Sequence, residues 1–293
     1  GVKLSYFYSR VLKFGIERDP RINKKKIKSY ADTAMLYGSP DAQIKKILVG
    51  IDIGVGELLL ADRIRQREGL DLVISHHPEG KAYAALFEVM QLQVDMLKKL
   101  GITESVAQRL LEERKQEVER KILPQNHTRA GDAAGLLDMP FMCVHTPADN
   151  HAFGFVQNLM EKEKPQKVQD IVDILMEIPE YRLATKNYAG PRITLGNPKR
   201  CVGRISVEMT GGTEGPRNVF DKLYKAGVRT LICMHLSEEH FKKVKDANLN
   251  VVIAGHISSD TLGFNLLLDR IEKQAKERLQ IISCSGFNRI KRY

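Results

Sequence analysis

Ile47-Leu48-Val49-Gly50-Ile51-Asp52, then Asp71-Leu72-Val73-Ile74-Ser75-His76-His77-Pro78, are the stretches on which the fold turns. Each is a short apolar run that stops abruptly at polar residues, the pattern of a buried strand. Between them, residues 57–68 place Leu58, Leu59, Ala61 and Ile64 on a helical stripe, and Gly69 ends it. Strand, helix, strand in that length is a βαβ unit, which implies parallel strands and a right-handed crossover.

The rhythm extends in both directions. Residues 84–123 read as a helical hairpin, with Leu86, Val89, Met90, Val94 and Leu97 at helical spacing. Gly101 interrupts it, Thr103 offers an N-cap for the restart, and Pro124 closes it. A strand over 141–144 leads to a helix over 151–162. The segment 167–200 reads as two helices and a link. Strands then fall at 202–209, 228–233, 249–254 and 281–284. Helices fall at 218–226, 237–248 (capped by Ser237) and 258–279. Residues 1–46 are weakly patterned, with one or two helices expected. The expected class is α/β, in two halves at 1–165 and 166–293, divided near the charged, Pro-terminated segment 161–165.

Composition narrows the function. Of 293 residues, 43% are apolar and 28% charged, values of a globular chain. No apolar run reaches the roughly 20 residues of a membrane span, and the first ten residues lack a signal-peptide pattern. The net charge of +10 is carried by the ends: residues 1–50 hold eleven Lys/Arg against four Asp/Glu, and 251–293 hold seven against four. The basic stretches are Arg21 to Lys28 and Arg289 to Arg292, read as solvated surface; a nucleic-acid partner is not favoured. Cys143, Cys201, Cys233 and Cys284 are widely separated, which excludes a Cys-x-x-Cys zinc knuckle and suggests buried thiols in a reducing cytoplasm.

Metal chemistry is carried by other residues. Ligands in open α/β sheets gather outside the carboxyl ends of the strands. Four of the eight histidines stand there: His76, His77, His145 and His256. Asp149 follows His145 by four residues, across a Pro-containing turn, and Asp260 follows His256 by four. On a helix, the second spacing puts imidazole and carboxylate on one face. Adjacent histidines in extended chain point to opposite sides, so His76 and His77 suit two neighbouring ions sharing a carboxylate. Taken singly each of these residues has a structural explanation, such as N-capping by Ser258 or Ser259 beside His256; it is their joint placement that points to metal.

The segments Asp71 to Pro78, His145-Thr146-Pro147-Ala148-Asp149 and Gly255-His256-Ile257-Ser258-Ser259-Asp260 resemble, in order, three hallmarks of the NGG-one-interacting factor three family. Many of its members carry the name GTP cyclohydrolase I type 2 homologue. The similarity covers roughly residues 45–80 and 135–285. It implies two interlinked three-layer α/β/α domains, here with a helical-hairpin insertion, assembled into a ring-shaped homohexamer. It also implies two divalent ions per subunit (Zn, Fe or Mn), bound by His76, His77, Asp149, His256 and Asp260, with His145 orienting a ligand from behind. Asp260 stands where the family has the longer Glu. Glu79 and His235 are the candidates for proton transfer. The loop Thr210-Gly211-Gly212-Thr213 reads as a strand-to-helix turn rather than an anion cradle. The expected activity is metal-dependent hydrolysis of a small or nucleotide-like substrate, of cyclohydrolase or phosphoester type. The alternative is a non-catalytic, metal-containing interaction protein working through its basic N-terminus.

Overall fold

A computed structural model describes residues 1–21, 23–210 and 212–292; Ile22, Gly211 and Tyr293, and the side chain of Lys26, lie outside it. The chain opens with β1 (Val2–Lys3), α1 (Leu4–Arg18), β2 (Ala34–Tyr37), β3 (Gln43–Ile44) and β4 (Lys46–Gly50). It continues through α2 (Val55–Glu68), β5 (Leu72–Ser75), α3 (Gly80–Ala84), α4 (Leu86–Val89), α5 (Leu92–Lys99), α6 (Glu104–Ile122) and α7 (Arg129–Leu136). Then come β6 (Phe141–Cys143), α8 (Thr146–Glu163), α9 (Val168–Met176), α10 (Pro179–Lys186), β7 (Arg192–Leu195) and β8 (Arg204–Glu208). The remainder is α11 (Phe220–Lys225), β9 (Val228–Cys233), α12 (Glu238–Asp246), β10 (Asn250–Ile253), α13 (His256–Ala275) and β11 (Gln280–Cys284).

Two larger sheets result. The first runs β11-β4-β5-β6-β2, the second β7-β10-β9-β8. Both are parallel except for one antiparallel edge strand each, β2 and β7. Because β11 returns from the far end of the chain to pair with β4, the two sheet-bearing parts are interlinked, as expected.

Alternation along the strands assigns the layers. In β4, Ile47 and Val49 face a core shared with α1, α8 and α13, while Leu48 faces one shared with α2 and α7. The second sheet packs Ile232 and Val252 on α8, α9 and α13, and Leu231 and Val251 on α4, α5, α6, α11 and α12. Helices α8 and α13 therefore lie between the sheets and serve both. They touch backbone to backbone: a Cβ on Gly263 would stand 2.3 Å from Ala148 O.

The helical hairpin thus has a definite place. It leaves the first sheet after β5 and becomes the outer layer of the second. Arg204 of β8 donates to the carbonyls of Lys99 and Leu100, and Arg114 of α6 donates to that of Glu214.

Several sequence expectations are corrected. The strands β2 and β7 were missed; both are short antiparallel edges, and β7 exposes alternate residues, so neither forms a continuous apolar run. Helix α8 starts at Thr146, with Pro147 in its first turn where its missing N–H does no harm, so Asp149 is helical rather than beyond a turn. Helix α13 starts at His256, and neither Ser258 nor Ser259 caps it. Thr103 sits at its N-cap position without a side-chain hydrogen bond, whereas Ser237 does accept from His240 N. Leu59 is 53% exposed, since its position turns away from the stripe of Leu58, Ala61 and Ile64. Cys201 is exposed in the link after β7, and Cys284 is only partly buried.

The C-terminal basic stretch is also different from the solvated surface expected. Arg289 is largely buried, 2.5 Å from Asp269 and 2.7 Å from Glu272. Lys291 reaches Glu272 at 3.1 Å and Arg292 reaches Glu180 at 2.6 Å. These cations clamp the chain end onto α13 and α10.

Candidate metal centre

Strands β5 and β6 of the first sheet and β9 and β10 of the second point their carboxyl ends at one cleft. Pairing continues past β5: His76 N donates to Gly50 O and His77 N to Ile51 O, which carries both imidazoles to the sheet edge in fixed register. Asp149 arrives on the first turn of α8 and Asp260 just beyond the first turn of α13, held together by the close crossing at Gly263. Helix N-termini favour carboxylates.

Asp260 is the centre of the arrangement. Its Oδ1 lies 3.4 Å from His76 Nε2, and its Oδ2 lies 3.3 Å from His77 Nε2 and 3.5 Å from His256 Nε2. Asp149 Oδ1 lies 3.3 Å from His76 Nε2 and Oδ2 lies 3.8 Å from His145 Nε2. Three overlapping triads have ligand atoms within 4.8 Å of one another: His76, Asp149 and Asp260; His77, His256 and Asp260; His76, His77 and His145.

The outer nitrogens fix which ring atom faces inward. His76 Nδ1 donates to Val144 O at 3.0 Å, His77 Nδ1 to Asp52 Oδ1 at 2.7 Å, and His145 Nδ1 to Asp32 Oδ2 at 2.8 Å. A carbonyl or carboxylate there only accepts, so each Nδ1 carries a hydrogen and each Nε2 is the atom aimed at the centre, its lone pair available once the ring is neutral. His76 Nε2, Asp149 Oδ1 and Asp260 Oδ2 are buried without a hydrogen-bond partner. Each orphan of this kind costs about 1–3 kcal/mol unless something occupies the space between them.

The electrostatics make the same demand. Burial alone would push the His76 imidazole down, but Asp260 and Asp149 outweigh it and hold it up to about 10. For His77, burial is likewise overcome by Asp260 and Asp52, and its value stands at about 9. Burial would raise Asp260, yet His76, His77 and His256 keep it well below the usual carboxylate range. Two buried carboxylates call for positive charge; a divalent cation would supply it in place of protons on the histidines. Imidazole and carboxylate suit borderline ions, and no cysteine belongs to a cluster among the described residues.

All five expected ligands, His76, His77, Asp149, His256 and Asp260, are brought together. His145 stands both behind Asp149 and within reach of the ion space. His235 also arrives: its ring centroid is 4.8 Å from that of His256, at the cleft mouth. Glu79 is half-buried near Asp52, the partner of His77; burial and the Asp52 charge raise its carboxyl against Arg129, and its N–H meets Cys143 Sγ. The loop after β8 borders the cleft, and Gly212 (φ +79°) presses close enough that a Cβ would meet Leu86 at 2.5 Å.

Some site residues were missed from sequence. Asp32 lies in the unpatterned first segment, and no spacing rule pointed to it. Glu208, Glu214 and His240 line the second-sheet wall of the cleft. Glu208 closes β8 and carried the same strand-end signal as the histidines.

No family model matches the sequence, and no curated protein matches it. Solved structures do. A NIF3 superfamily protein from Sphaerobacter thermophilus aligns with TM-score 0.79 and 27% identity, over 95% of this chain and 98% of that one. The chain has the NIF3 superfamily fold. That agrees with the family resemblance of its three motifs. Reduced HcgD from Methanocaldococcus jannaschii shares the NIF3-like fold at TM-score 0.52 and 15% identity, over 96% and 97% of the two chains. So does the protein ybgI, of unknown function, at 0.57 and 14%, over 99% and 100%. Among the described residues of the NIF3-like chain, no helix is long and apolar enough to cross a membrane.

Proposed function

We propose that this NIF3-like protein holds two divalent cations and is a metal-dependent hydrolase of a small substrate. The observation that carries the reading is Asp260, whose two oxygens face two different histidines, His76 and His77, with Asp149 completing one side and His256 the other. A carboxylate so placed suits two ions side by side. Divalent cations there supply Lewis acidity and make water a competent nucleophile near neutral pH.

The chain's own residues do the rest. Asp52 and Asp32 hold His77 and His145 in the ligating tautomer. His235, 47% exposed beside His256, is suited to pass protons between the cleft and bulk water. We extend the proposal to assembly: exposed Leu59 and Leu60 on α2 and Leu136 at the end of α7 offer apolar surface for a homo-oligomeric ring, which light scattering would size.

The test is metal content after purification without added metal. The parent should retain up to two equivalents, and His76→Ala and His256→Ala should each lose at least half. Equal metal in parent and variants would overturn the site. Hydrolysis of candidate substrates should cease on chelation and return with added cation.

A further inference from the structure

The cleft has a second wall whose chemistry selects among hydrolase substrates. Facing the ion ligands stand Glu208, Thr210, Thr213, Glu214, His235 and His240. None of the residues that line the cleft beside His145, Asp149, His256 and Asp260 is a lysine or arginine. Apart from metal ions, phosphate sites ordinarily rely on such cations, so on this side the ions alone would hold a phosphate. Here the charged groups opposite the ligands are carboxylates.

Those carboxylates are held in place rather than free to swing away. Glu214 Oε1 accepts from Ser237 N at 2.5 Å, and its Oε2 lies 3.2 Å from His240 Nδ1. His240 is anchored in turn by donating from Nε2 to Gly215 O at 2.8 Å. Glu208 Oε1 accepts from Gly215 N at 3.3 Å. Arg114 grips the Glu214 carbonyl from behind, outside the cleft. The start of α12, the Gly215 loop and Arg114 thus fix an acceptor-rich wall in the same cleft as Asp149 and Asp260.

We infer that the cleft takes small N–H-bearing neutral or cationic substrates, such as cyclic amides or amidines, and rejects phosphorylated ones. This rests on the metal-hydrolase reading and names its substrate class. Glu208 and Glu214 accept hydrogen bonds from substrate N–H groups. In the hydrolysis, water adds to the amide or amidine carbon and a C–O bond forms. The C–N bond breaks, and the proton lost by water ends on the departing nitrogen. Glu208 is suited to carry that proton, since burial raises its carboxyl to about 7, against the Gly215 N–H that lowers it.

Calorimetry on the zinc-loaded protein, with metal content measured before and after, tests this with methylguanidinium and inorganic phosphate as probes. Methylguanidinium should bind one to one and more tightly than phosphate. Glu208→Gln and Glu214→Gln should each weaken methylguanidinium about tenfold, while phosphate binding improves. Two separate variants guard against one that fails to fold. Phosphate binding more tightly than methylguanidinium, or neither probe binding, overturns the inference, as does methylguanidinium binding that ignores both substitutions. A protein that takes up no zinc would instead sink the metal reading itself.

Discussion

His145 Nδ1 donates to Asp32 Oδ2 at 2.8 Å, across 113 positions of sequence. Asp32 is fully buried and also accepts from Thr146 Oγ1 at 2.6 Å, so it locks the ring and the start of α8 together.

From this pairing follows a prediction about affinity. Asp32→Asn keeps the shape but offers an amide that no longer enforces the tautomer. Partners of this kind usually contribute 10–100-fold to metal affinity. Competition against a chromogenic chelator should show a loss in that range with the far-UV circular dichroism unchanged. Full affinity in Asp32→Asn would mean His145 plays no part at the centre.

The crossing of α8 and α13 predicts a steric effect. Gly263→Ala puts a methyl 2.3 Å from Ala148 O, so the helices must part. Overpacking of this sort costs about 1–3 kcal/mol. The expected result is a Tm lower by several degrees and weaker metal binding, because Asp149 and Asp260 separate. Unchanged metal affinity alongside a lowered Tm would uncouple the crossing from the site.

Glu208 predicts a pH dependence. Its folded value, about 7, lies above the ordinary 4.5. An acid shifted upward is destabilising once charged: the penalty is absent below pH about 4.5, grows as pH rises to 7, and is constant above. Each unit is worth about 1.4 kcal/mol before allowance for solvent at this half-buried group. Glu208→Gln should therefore raise Tm by a few degrees at pH 8 and leave it unchanged at pH 4.5. Equal shifts at both pH values would argue against the burial.

The C-terminal clamp predicts a loss of stability. Arg289→Ala leaves Asp269 and Glu272 without their shared guanidinium. Removing one partner of a buried pair commonly costs about 3–5 kcal/mol; Lys291 still reaches Glu272, so about 2–3 is expected here. Urea denaturation should show the lower midpoint. A midpoint within error of the parent would assign the clamp no energetic role.

Much of this protein can be read along its chain. The βαβ unit at 47–77 and the strand-end placement of His76, His77, His145 and His256 follow from short-range rules: alternation, helical stripes and the abrupt end of apolar runs. Those rules are local, and so the residues that obey them are legible. The edge strands β2 and β7, half exposed and antiparallel, leave a weaker local trace. Asp32 leaves none, since its role depends on a ring far away in sequence. Nor could spacing show that the hairpin from the first sheet roofs the second. Sequence alone determined the fold class and singled out the histidines and aspartates that gather at the strand ends. Tertiary structure decided that Asp260 stands between His76 and His77, and that Glu208 and Glu214 share the cleft with Asp149 and Asp260. Those distances are set by the packing of α8 on α13 and by two sheets sharing one helical layer.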